Sequence, residues 1–150
     1  MEAAVAYTHF LSFMLVAAFL VTEFYLCSAE LQPAQVRVLA RVDLFYLAAV
    51  IVVIATGLLR VFVVGKGAAF YLNNPVFYIK MTLFLAVGLI SIPPTLQFLR
   101  WNRALKSGQE RVLRDRDIAG ARRYVALELA LLACIPLAAV LMARGVGVQH

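Results

Sequence analysis

Four stretches of apolar residues, each close to the ~20 needed to cross the hydrocarbon of a bilayer, leave this chain little choice of fold. They run from about Ala4 to Cys27, Val42 to Val64, Val76 to Phe98 and Tyr124 to Met142. In a bilayer every backbone amide must find its partner within the chain, so each stretch has to be helical. The expected fold class is all-α: an integral membrane four-helix transmembrane bundle forming a single domain over residues 1–150. Composition agrees, since 64% of the residues are hydrophobic and only 15% are charged, where soluble domains carry roughly a quarter charged residues. The N-terminus has no basic leader and carries Glu2, so no cleavable signal peptide is expected.

The connections carry recognisable stop and start signals. Pro33 and its polar neighbours separate the first two helices. Gly65 and Gly67 end the second helix, and Asn74 followed by Pro75 reads as an N-cap with proline at the first helical position. The apolar AAFYL between them is expected to lie in the membrane interface. The third connection, residues 100–123, is expected to be a long charged loop in which RVLRDRDIAGARR forms a short amphipathic surface helix. Pro93–Pro94 and Pro136 are expected to kink or break the third and fourth helices.

Charge fixes the expected orientation. Eight Lys/Arg lie between Arg100 and Arg123, and Arg37 and Arg41 add two more in the first connection. The other face has only Arg60, Lys66, Lys80 and Arg144. The positive-inside rule then puts the two basic connections in the cytoplasm and both termini outside. The net charge of +6 is read as contact with anionic headgroups rather than nucleic acid.

On this topology the ionisable groups fall into two layers. His9, Arg60 and Lys80 lie at one depth near the outer ends of the first three helices, with Arg144 just beyond the fourth. Glu23, Asp43 and Glu128 lie toward the cytoplasm, with Arg41 and Arg100 as counter-charges that would pin the helices; a proton path through the acids is the alternative. His9 and Glu23 are fourteen residues apart, as are Tyr46 and Arg60, and Lys80 precedes Ser91 by eleven, so each pair shares a helix face. The plainer readings are snorkelling for Lys80 and Arg60 and an interhelical hydrogen bond for His9. Cys27 and Cys134 are isolated and read as buried apolar residues.

A neutral imidazole with two cations at the same depth suits a planar anionic cofactor, and haem b is the expected one. His9 would ligate the iron, and Lys80 would either leave the sixth position open or fill it. Arg60 would pair with a propionate, and Phe10, Phe13, Phe77 and Phe84 would supply aromatic walls. The only other histidine, His150, is terminal and is not expected to act as a second ligand. No spacing supplies three or four protein ligands for a separate metal centre.

YTHF in the first helix and FYIKMTLF in the third resemble the HemJ-type protoporphyrinogen oxidases of bacteria, at the positions of His9 and Lys80. That family pairs an early first-helix histidine with a third-helix lysine. The resemblance implies haem b and an oxidoreductase acting on a porphyrin or quinone. Over nearly its whole length, with VDLFY, ATGLLR and GKGAAFYLNNPVFYIKM, the chain looks like a family of small bacterial four-span membrane proteins. The expected setting is a bacterial inner membrane crossed several times, with lipid as partner and a homo-oligomer as one option. The competing functions are a non-enzymatic accessory or assembly subunit and a small oligomeric transporter.

Overall fold

The structure, a computed structural model, describes residues 1–28, 30–65, 67–109 and 113–146. His150, Lys66 and Arg111 lie outside the described residues. The elements in order are α1 (Glu2–Leu26), α2 (Pro33–Leu59) with a π-helical continuation over Arg60–Val64, α3 (Ala68–Leu72), α4 (Pro75–Lys106) and α5 (Asp115–Ala143). Four helices, α1, α2 with its continuation, α4 and α5, are long and apolar enough to cross a membrane. No strand occurs among the described residues.

These helices form a ring in the order α1, α2, α4, α5, each packed on the next and α5 closing against α1. Each turns one stripe inward at helical spacing. On α1 it is Ser12, Val16, Leu20 and Glu23. On α2 it runs from Val36 through Asp43, Tyr46 and Val53 to Thr56, and on α5 it includes Val125, Glu128, Leu132 and Ile135. The outward faces are also apolar, with Met14, Ile51, Phe62, Leu85 and Leu137 all more than half exposed. A helix hydrophobic all round needs lipid on the side that protein does not cover.

Three helices outrun their apolar segments. At 1.5 Å per residue, the 32-residue α4 is about 48 Å long, well beyond a ~30 Å hydrocarbon core. Its last turns bury Phe98 and Trp101, neither of which is exposed at all. α2 starts at Pro33 rather than near Val42. Val36, Leu39 and Ala40 face the core there while Arg37 and Arg41 are exposed, so this turn is amphipathic rather than uniformly apolar. Likewise α5 starts at Asp115, with Ile118 and Ala121 buried. The basic region expected as a long loop with its own surface helix is therefore mostly the ends of α4 and α5. Pro93, Pro94 and Pro136 lie inside continuous helices rather than at breaks.

The short connection holds more structure than hydropathy indicates. AAFYL forms α3, and its Tyr71 is buried against Val76, Ala138 and Met142. The expected cap is present: the Asn74 side chain accepts from the Val76 amide at 2.9 Å, with Pro75 in the first turn. The Asn74 amide also donates to the Val146 carbonyl at 3.2 Å, tying the end of α5 to the start of α4.

Candidate functional site

The antiparallel ring brings the start of α1, the end of α2, the start of α4 and the end of α5 to one end of the bundle. A cavity of about 240 Å³ opens among them. His9, Arg60 and Lys80 all line it, together with Phe10, Phe13 and Phe77. Phe84, expected as a fourth aromatic wall, instead packs against the main core, because it lies one turn deeper on α4 than Lys80. Arg144 caps α5 and is exposed.

His9 is held from behind. Its Nδ1 lies 2.9 Å from the Thr56 hydroxyl oxygen. That hydroxyl also reaches the Val52 carbonyl at 2.6 Å and the Val53 carbonyl at 3.2 Å on its own helix. With its proton on a carbonyl of its own helix, Thr56 accepts from His9 Nδ1–H, and in this tautomer the lone pair of the neutral imidazole is on Nε2. The ring packs over Gly57 of α2, where a Cβ would sit 3.4 Å from His9 Cε1, in van der Waals contact. Phe10 meets the imidazole edge-on at 6.1 Å between ring centroids.

The two cations reach the cavity from different helices. Arg60 stacks its guanidinium over the Phe10 ring at 5.3 Å, a cation–π contact that holds the charge inside the rim. It is also the first residue of the π-helical turn, a distortion often found at functional sites. That turn brings Gly65 so close to the Arg60 carbonyl that a Cβ would overlap its oxygen and stand 2.9 Å from the Tyr71 hydroxyl. Lys80 is half-buried on α4, and both it and Arg60 are near enough to act electrostatically on His9. Among the described residues no carboxylate lines the cavity, so neither cation is neutralised there.

Thr56 and Gly57 carry no motif in the sequence, although they stand as a polar, small pair in an otherwise apolar helix, one turn before Arg60. Tyr71 gives no signal either, because its short helix reads as interfacial.

The acidic layer corrects the expectation of interhelical ion pairs. Arg41 and Arg100 are exposed, and Glu23, Asp43 and Glu128 form no ion pair among the described residues. Asp43 accepts from the Thr95 hydroxyl at 2.7 Å, and Glu128 from the Tyr46 hydroxyl at 3.2 Å. Of the two cysteines, both free, Cys27 is buried but Cys134 is exposed on the outer face of α5, contrary to the buried reading. No group of three or more histidine, cysteine or acidic residues among the described residues is placed to hold a metal ion. This leaves His9 as the chain's imidazole donor in a site whose other polar groups are cations.

The ring of four apolar helices with a cationic cavity at one end defines a multi-span integral membrane protein. The chain belongs to the family described as "Predicted membrane protein (DUF2214)", which it matches over residues 1–147. No curated protein and no solved structure matches it.

Proposed function

We propose that the cavity binds haem b, which His9 would ligate, with Arg60 pairing with a propionate and Lys80 supplying a second cation and a further nitrogen donor. The observation that carries this reading is the 2.9 Å contact between His9 Nδ1 and the Thr56 hydroxyl, which orients the ring and, in the tautomer protonated at Nδ1, leaves the lone pair on Nε2. Ligating histidines are commonly oriented in this way through their second nitrogen. The donor set suits the group in charge as well: two cations without carboxylate partners match two carboxylates on an otherwise apolar ring. The cavity is smaller than the ~300–1,000 Å³ of most cofactor pockets, so an occupant would be held partly among the apolar helix faces at its opening. The resemblance at His9 and Lys80 to the HemJ-type enzymes supports the same reading. Bound haem would supply one-electron chemistry, and the chain's part is to ligate, neutralise and exclude water.

Protein purified in detergent from cells supplied with a haem precursor tests this. A Soret band that His9→Ala abolishes is the expected result. A colourless wild-type protein would overturn it. The modest cavity volume favours a second reading in that event: an anionic lipid headgroup held by Arg60 and Lys80, seen as co-purified anionic lipid that is lost in a variant with both cations replaced by glutamine. The basic bias of the opposite end supports a bundle with its termini outside, and the resemblance to small bacterial membrane proteins supports a bacterial inner membrane as its setting.

A further inference from the structure

At the other end of the bundle, three carboxyl groups from three helices are buried in the core within electrostatic range of one another. Glu23 of α1 and Asp43 of α2 are each 2% exposed, and Glu128 of α5 is 1% exposed. Glu23 lies within electrostatic range of both the others. The hydroxyl groups facing them are few. Thr95 of α4 donates to Asp43, and Tyr46 of α2 donates to Glu128. Glu23 Oε1 and Glu128 Oε1 are buried with no hydrogen-bond partner.

No base faces these acids among the described residues. On α5, Arg122 lies over the Phe24 ring at 4.4 Å, with its charge on the outside of the bundle. Cys27, beyond the end of α1, is the other titratable group near Glu23. Three negative charges in an apolar core, with neither cation nor sufficient donors, would cost far more than their hydrogen bonds return. A metal ion is not the counter-charge, because the three groups are not placed to share one.

We propose that Glu23, Asp43 and Glu128 form a proton-binding site, in which protons bound to the carboxyl groups replace the missing counter-charge. Uptake adds H⁺ to a carboxylate oxygen and removes one negative charge; nothing is oxidised or reduced. Exchange takes place with the basic end of the bundle. Glu23 stands one turn from the end of α1, whereas apolar residues such as Leu20, Val53 and Leu132 separate the acids from the His9 cavity. The site is thus independent of whatever the cavity binds.

Infrared spectroscopy of the purified full-length protein, in H₂O and D₂O across a pH series, tests the assignment. A carboxylic-acid C=O band should persist at neutral pH, where exposed carboxyl groups are ionised, and should shift in D₂O. Glu23→Gln and Glu128→Gln should each remove part of it, and His9→Ala should leave it unchanged. Absence of the band from folded wild-type protein at neutral pH would overturn the proposal, without reliance on any variant. So would a band that survives replacement of all three acids in a variant that keeps the wild-type helix content.

Discussion

His9 Nδ1 and the Thr56 hydroxyl stand 2.9 Å apart across the α1–α2 interface, and that hydroxyl also reaches the Val52 and Val53 carbonyls of its own helix. One residue of α2 thereby orients an α1 imidazole and, in the tautomer protonated at Nδ1, leaves Nε2 as its Lewis base. Replacing Thr56 with valine keeps the shape and removes the acceptor. Haem affinity should fall about 10- to 100-fold, the usual range for loss of a group orienting a ligand. Thr56→Ser should keep most of it. Titration followed at the Soret band gives both values.

In the proposed haem site Lys80 and His9 have different parts. His9→Ala should abolish the haem spectrum, since His9 is the cavity's imidazole donor. Lys80→Ala should leave a haem that is bound but spectrally shifted, because it removes a charge and a candidate sixth ligand. Identical spectra for wild type and His9→Ala would contradict the assignment.

Gly65 has no room for a side chain, whereas a methyl group added at Gly88 would meet nothing within 4 Å. Gly65→Ala should destabilise the bundle by about 1–3 kcal/mol, as overpacking does elsewhere. Gly88→Ala should be neutral or slightly stabilising, since alanine is the better helix former. Thermal unfolding in one detergent compares them.

The cysteines should separate cleanly by reactivity. Burial pushes the Cys27 thiol up to about 12, so at neutral pH almost none of the nucleophilic thiolate forms. Its alkylation should begin only after denaturation, or as pH approaches that value. Cys134, on the exposed face of α5, should react in detergent with a small apolar reagent. Mass spectrometry of the alkylated protein before and after unfolding checks both.

Reporter fusions following residue 146, and others inserted between α4 and α5, should lie on opposite sides of the membrane. The second should be cytoplasmic, given the ten Lys/Arg of the two basic connections against four on the other face. Cytoplasmic activity of the first fusion would reverse the orientation and place the His9 cavity inside.

The four spans are legible in the sequence because hydropathy reports what the bilayer demands, and His9, Arg60 and Lys80 can be grouped because antiparallel helices convert sequence distance into depth. The ends of the helices are harder to read. Val36 and Ile118 begin core stripes beside exposed arginines, a pattern that resembles a charged loop when hydropathy is averaged. The partners of the acids escape sequence reasoning for a different reason. Arg41 and Arg100 are close in sequence depth to Asp43 and Glu23, but helical phase turns them outward, leaving hydroxyl groups as the partners. Thr56 shows nothing by itself, since its role exists only where α1 crosses α2.

The π-helical stretch Arg60–Val64 bears on how this family can change in length. A π turn houses one residue more than the α-helix it interrupts, so the end of α2 can be regarded as a lodged single-residue insertion. A homologue one residue shorter here would run α-helical to the same connection. Its counterpart of Gly65 would no longer be pressed against a backbone carbonyl, and the ban on a side chain there would lift. Segment length and glycine should therefore be inherited together: relatives that keep the extra residue keep the glycine, and those that lose one are free to lose the other.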